Sequence, residues 1–227
     1  MHNTIAERLA SAQSALGQIQ SNQTVQLIAV SKTKPAADIR AAFAAGQRCF
    51  GENYVQELAD KATQLADLPA IEWHFIGPIQ SNKTRDIARY ADVVHSIDRL
   101  KIAQRLSAQR SAQQRPLRCL LQVNISDEAS KSGVAPQDVL ALAAQVAVLP
   151  NLQLVGLMAI PAPAVAGDNS QAFATMQQLS QELQRSHPQA TELSMGMSDD
   201  WQQAVIHGAT MIRLGSAIFG ARNYAHE

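Results

Sequence analysis

Short apolar runs alternate with helical patterns along most of the chain, and this alternation limits the possible folds more than any single motif does. The apolar runs fall at 25–31, 48–51, 72–76, 93–97, 117–126, 152–159, 192–195 and 210–214. Their length and β-branched content suit strands. Between them, residues 36–45 are alanine-rich and end at Gly46, a good helix stop. Residues 53–66 place Val55, Leu58, Ala62 and Leu65 on one helical face. Residues 99–112 follow Asp98, which suits an N-cap. Residues 136–149 open with Pro136, stop before Pro150 and align Val139, Leu142, Val146 and Leu149. Residues 169–186 align Phe173, Met176, Leu179 and Leu183, and a last helix over 199–208 follows Ser198.

Strands that alternate with helices pair in parallel, with the helices as crossovers. About eight such units in 227 residues fit an α/β fold, a (β/α)8 TIM barrel, whose usual size is ~250 residues. The main rival is an open doubly wound sheet. That fold carries a glycine fingerprint after its first strand, and Ser31-Lys32-Thr33-Lys34-Pro35 is not one. No low-complexity linker divides the chain, and residues 161–167 read as a loop after the sixth strand. Residues 1–227 are therefore expected to form one domain. An extra N-terminal helix precedes the first strand: Ile5, Leu9, Ala12, Leu16 and Ile19 share a face, and Thr4 and Glu7 have capping-box spacing.

Lysine plus arginine equals aspartate plus glutamate, 19 against 19, so there is no basic field to attract nucleic acid or an anionic membrane. No apolar run approaches the ~20 residues of a membrane helix, and the N-terminus carries no targeting pattern. Cys49 and Cys119 lie far apart in strand-like runs and read as core thiols of a cytoplasmic protein. No CxxC pair, H-E-x-x-H or Walker loop is present, so no metal is expected.

The chemistry is expected at the C-terminal ends of the strands. Lys32 follows the first strand directly. An amine partly desolvated there would be more often neutral and able to attack an aldehyde. A snorkelling lysine with its head in water is an equal reading of that residue alone. Glu52, Asn53 and His74 fall at the ends of the next two strands. Asn53 also suits a helix cap. His74 alternates with Trp73 and Phe75, and a packed, hydrogen-bonded histidine is favoured over a catalytic one.

Two late segments suit an anion. Ser194-Met195-Gly196-Met197-Ser198 runs from a strand through a glycine to a serine before a helix, where Ser198 reads as phosphate ligand or as plain N-cap. Asp199 and Asp200 after it are expected to face solvent. Ile212-Arg213-Leu214-Gly215-Ser216 sets an arginine, a glycine and a serine at the end of the last strand. Barrel phosphate sites commonly lie after strands seven and eight. An amine at one end and a phosphate cradle at the other suit one ligand with an aldehyde and a phosphate: pyridoxal 5'-phosphate (PLP). A Schiff-base aldolase acting on a sugar phosphate is the rival from pattern alone.

The motifs AVSKTKP (29–35), FGENYVQE (50–57), WHFIGPIQSNK (73–83), SIDR (96–99), QVNISDEASKSG (122–133), GLMAIPAP (156–163), LSMGMSDDW (193–201) and IRLGSAIFGAR (212–222) resemble those of the pyridoxal phosphate homeostasis proteins, over roughly residues 5–224. The resemblance implies a barrel of the alanine-racemase N-terminal type (PLP fold type III) that holds PLP as a Schiff base on Lys32. By matching position it implies Ser198, Gly215 and Ser216 at the phosphate, Arg213 near the pyridine nitrogen and Asn53 near the phenolic oxygen. It further implies buffering and delivery of PLP, with apo PLP-dependent enzymes as recipients, no catalytic reaction and a monomer. The chain ends too soon after the eighth unit for the racemase's second domain, which supplies a proton donor. The alternatives are an amino-acid racemase or related PLP enzyme, and a regulator that uses PLP as a signal. Lys34, Lys83 and Lys131 are expected in loops on the ligand side, either guiding an anionic cofactor or as plain exposed charges.

Overall fold

The computed structural model describes residues 3–126, 132–162 and 168–221. Eight parallel strands close into a barrel in chain order: β1 (Gln26–Val30), β2 (Cys49–Glu52), β3 (Glu72–Phe75), β4 (Val93–Ile97), β5 (Leu117–Val123), β6 (Leu152–Ala159), β7 (Glu192–Ser194) and β8 (Met211–Leu214). β1 closes the ring against β8, with Ile28 opposite Arg213 and Ala29 opposite Leu214. Around it lie α1 (Ile5–Gly17), α2 (Ala36–Ala44), α3 (Val55–Gln64), α4 (Thr84–Tyr90), α5 (Leu100–Gln109), α6 (Val139–Ala147), α7 (Ser170–Ser186), α8 (Trp201–Ile206) and α9 (Ser216–Phe219). The (β/α)8 barrel with an extra N-terminal helix is the architecture the alternation predicts. Among the described residues no helix is long and apolar enough to cross a membrane. Cys49 and Cys119 are free, buried thiols.

Alternation along each strand separates two environments. Outward residues such as Ala29, Phe50, Phe75, Cys119 and Ile212 pack with Leu58, Ile87, Ile102, Leu106 and Phe173 of the helices into the main core. Each such Leu, Ile or Phe contributes about 1.5–3 kcal/mol through burial. Inward residues form two small apolar clusters, Val93, Leu120, Val155 and Met158 in one, Ile28, Cys49 and Met211 in the other. His74, His95, Ser194 and Arg213 are also buried.

Several element ends differ from expectation. β5 stops at Val123 because the backbone beyond it turns to pair with Val134, through Asn124 N–H to Val134 O at 2.9 Å and Val134 N–H to Gln122 O at 2.8 Å. Asp98 does not cap α5: Arg99 is the N-cap, and Asp98 Oδ1 accepts from Arg99 Nη1 at 2.5 Å. Tyr54, not Asn53, is the N-cap of α3, and Asp200, not Ser198, is that of α8. The capping box on α1 is formed by Thr4 and Glu7 as their spacing predicts.

Candidate functional site

The turn after β1 is held on both sides of Lys32. Ser31 N–H donates to Gly51 O at 3.0 Å, and Lys34 N–H closes the turn onto Ser31 O at 3.0 Å. Thr33 takes a left-handed φ of 63°. That conformation is uncommon for a β-branched residue, and it is fixed here because Thr33 N–H donates to Glu57 Oε2 at 2.8 Å. On the other flank Lys61 Nζ donates to Ser31 O at 2.8 Å, and also to Glu52 Oε1 at 2.8 Å and Glu57 Oε2 at 2.7 Å. Ser31 Oγ adds a bond to Glu52 Oε1 at 2.6 Å. The backbone around Lys32 is thus tied to α3 through one buried ammonium and two carboxylates.

This corrects one sequence candidate. Glu52 is the last residue of β2, but it faces the helix layer and Lys61 rather than the barrel mouth. Burial pushes its carboxyl up, against the pull of Lys61 and Ser31. His74 also lies away from the mouth. It is fully buried in β3 and bonded to His95 and Glu72, so the packed reading holds.

A cavity of about 180 Å³ opens at the C-terminal ends of the strands, and Lys32, Asn53, Ser198, Arg213, Gly215 and Ser216 all line it. Val30, Ile76, Ile160 and Met197 supply apolar walls. This is room for one substituted ring and not for a dinucleotide.

Each lining residue has a local cause. A Cβ on Gly77 would overlap the carbonyl oxygen of Asn53, so the loop after β3 lies directly on the backbone that presents Asn53. Asn53 Oδ1 is buried and has no hydrogen-bond partner among the described residues. Such a group ordinarily has a partner in the functional state. Gly196, with φ of +93°, lets the chain after β7 turn tightly against α8, where a Cβ would come within 2.7 Å of Ala204 Cβ and 2.9 Å of Trp201 Cα. Asp200 Oδ1 then accepts from Met197 N–H at 2.8 Å, which fixes the loop carrying Ser198. Asp200 holds the N-cap position of α8 without a side-chain capping bond, and its carboxylate is taken up by Met197 N–H and Asn169 Nδ2 rather than left to solvent. Ser216 opens α9, and the first N–H groups of a helical turn lack intrahelical acceptors.

Arg213 points inward from β8 and is 3 % exposed. Its Nη1 donates to Ser194 Oγ at 2.6 Å and its Nη2 to Ala159 O at 3.0 Å. Burial pushes the guanidinium down to about 10, which still leaves it charged at neutral pH. Lys34 lines the cavity and donates to Ala221 O at 2.8 Å. Lys83 is exposed in the loop after β3 and is not part of the lining, and Lys131 lies outside the described residues.

Sequence reasoning missed the Lys61–Glu57 clamp, although their i, i+4 spacing was visible. It also missed His95, whose only signal was a polar residue inside an apolar strand.

Comparison with known proteins agrees with this geometry. The family described as alanine racemase, N-terminal domain, matches residues 4–223. A pyridoxal phosphate homeostasis protein of Pseudomonas aeruginosa is 57 % identical over 221 residues, covering 97 % of this chain and 94 % of its own. The structure of PipY from Synechococcus elongatus is 44 % identical and covers 96 % of this chain and 100 % of its own. It superposes with a TM-score of 0.87 without PLP and 0.84 with PLP bound. Alanine racemase from Corynebacterium glutamicum shares the fold at 17 % identity and a TM-score of 0.72, over 98 % of this chain and 62 % of that one. The chain belongs to the pyridoxal phosphate homeostasis proteins, built on the alanine racemase N-terminal domain.

Proposed function

We propose that this protein binds PLP as a Schiff base on Lys32 and buffers and delivers it to apo-enzymes in the cytoplasm, with no catalytic reaction of its own. One observation carries the reading. A lysine from the first strand and a serine, a glycine and an arginine from the last two units meet in a single cavity of about 180 Å³. The bound form of PipY supports it.

The residues present fit the cofactor. Lys32 offers an amine on a backbone that its neighbours hold in place. Ser198, Ser216 and the backbone at Gly215 offer hydrogen-bond donors suited to a phosphate. Asn53 brings an amide whose Oδ1 has no partner among the described residues and whose NH2 is the group suited to donate to the phenolic oxygen. Arg213 offers a permanent donor on the side of the pyridine nitrogen. When bound, PLP supplies an aldehyde for the amine and a ring that can accept electrons. An arginine beside the ring nitrogen disfavours protonation there, which makes the ring a weaker electron sink than one beside a carboxylate. This favours holding the cofactor over using it.

The test is borohydride reduction of the PLP-loaded protein followed by peptide mapping. The expected adduct is on Lys32. An adduct mainly on Lys34 overturns the assignment. Ser198→Ala and Ser216→Ala should each weaken PLP binding by about 0.5–1.5 kcal/mol, measured by fluorescence titration. Pyridoxal without phosphate should bind far more weakly than PLP, and equal affinities would refute the phosphate cradle.

A further inference from the structure

Behind Arg213 a line of polar groups crosses the barrel interior. Arg213 Nη1 lies 2.6 Å from Ser194 Oγ. Ser194 Oγ lies 2.9 Å from His95 Nδ1. His95 Nε2 lies 2.8 Å from His74 Nδ1, and His74 Nε2 lies 2.8 Å from Glu72 Oε1. The line ends where Glu72 Oε2 accepts from Arg118 Nη2 at 2.6 Å. Glu72 starts β3, so this end lies at the mouth opposite the cavity. His74, His95 and Ser194 are fully buried.

The two ends set the direction of every bond between them. A guanidinium has donors only, and an ionised carboxylate has acceptors only. Ser194 Oγ accepts from Arg213, so its own proton goes to His95 Nδ1, its other partner among the described residues. His95 then carries its proton on Nε2 and donates to His74 Nδ1. His74 in turn donates from Nε2 to Glu72. Each donor meets one acceptor, with one proton per ring. The opposite direction would leave the Ser194 proton buried without an acceptor among the described residues, which is costly.

Electrostatics agree with this order. Burial above all, with the charges of Arg213 and Arg118, holds His95 well below the ordinary histidine range, so its ring is neutral. Burial opposes the Glu72 anion, but the hydrogen bond from His74 and the bond and charge of Arg118 bring its carboxyl below the usual carboxylate range. The Cys49 thiol beside Glu72 is pushed up to about 12, by burial first and Glu72 second, and stays uncharged.

We propose that Ser194, His95 and His74 are positioning residues for Arg213, forming a one-way hydrogen-bond chain that fixes the guanidinium at the cavity and ties it to Glu72 at the opposite mouth. Hydrogen bonds in such a series polarise one another, so the chain presents the arginine more firmly than a single contact would. It also gives both buried histidines of the barrel interior their partners.

The first arm of the test needs no cofactor. Long-range nitrogen–proton correlation spectra of the unliganded protein at pH 7.5 should show both His74 and His95 as the Nε2–H tautomer. An Nδ1–H tautomer at either ring, or a doubly protonated ring at either position, overturns the proposal.

The second arm rests on the reading of the cavity as a PLP site. Ser194→Ala should weaken PLP binding roughly threefold to tenfold and move the visible absorption band of the bound cofactor. Glu72→Gln keeps the size but not the anion and should move the band from the far mouth. Arg40→Ala, which breaks an exposed ion pair with Asp67, should change neither. Unchanged affinity and band in both Ser194→Ala and Glu72→Gln overturn the chain. If Ser194→Ala fails to fold, Glu72→Gln decides, since that side chain is 28 % exposed. If the unmodified protein takes up no PLP, the cofactor reading falls, and the tautomers still decide the chain.

Discussion

Lys61 shows how much a single residue outside the cavity contributes to it. Its ammonium is buried and serves Ser31 O, Glu52 and Glu57 together. Removing it leaves the Glu52 carboxylate buried without its cation. Lys61→Met should therefore cost about 3–5 kcal/mol in urea unfolding, and adding Glu52→Gln should recover part of that loss. A cost below about 1 kcal/mol would mean that the clamp does not hold the Lys32 turn. The cavity residues themselves were legible because each lies at or after the end of a strand-like run and the motifs that carry them are distinctive. Lys61 was not, because a lysine on an amphipathic helix looks like any solvated charge until β2 is known to place Glu52 beneath it. The same applies to His95. Only the pairing of β3 with β4 brings it beside His74.

At the level of elements, the sequence marked the strands well because apolar β-branched runs with sharp ends leave few alternatives. Helix ends were read less well. Asp98, Asn53 and Ser198 have cap-forming side chains, yet the caps fall one or two residues later, at Arg99, Tyr54 and Asp200. For Asn53 and Ser198 this shift leaves both side chains at the cavity. α4 went unread because Thr84-Arg85-Asp86-Ile87-Ala88-Arg89-Tyr90 is short and carries only two apolar aliphatic residues, Ile87 and Ala88. α9 is shorter still, at 4 residues, and such a turn does not stand alone. It is held by α1, where Arg8 Nε donates to Ile218 O at 2.6 Å. Arg8→Ala should cost about 1 kcal/mol of stability. It should also speed PLP release severalfold, followed by transfer to an apo-enzyme in the same cuvette. Release at the unmodified rate would show that α1 has no part in the phosphate side.

At the scale of the whole molecule, the lining of the cavity bears on the proposed carrier role. Among the described residues its ionisable members are Lys32, Lys34 and Arg213, all cationic, and Lys34 is occupied with Ala221 O. Racemisation needs a proton removed from one face of the substrate and another delivered to the opposite face. Among the described residues of the lining none carries a carboxyl, imidazole or phenol to do the second. Racemisation of common L-amino acids should stay far below about 1 per second, measured by chiral chromatography. Turnover at that rate that vanishes in Lys32→Ala would make the protein an enzyme.

The seam between β1 and β8 has a bearing on when the protein can begin its work. The amine stands just after the first strand and the arginine on the last, most of the chain apart, and they become neighbours only when Ile28 and Arg213 come into register. A partly synthesised chain on the ribosome has the lysine without its counterpart and has nowhere to store a cofactor. Barrels closed by so distant a pairing form slowly. On the proposed function the ligand would therefore arrive last, as a latch on a finished ring. At a hundredfold excess over its dissociation constant it should deepen the folded well by about 2.7 kcal/mol, seen as a rise in melting temperature that grows with PLP concentration.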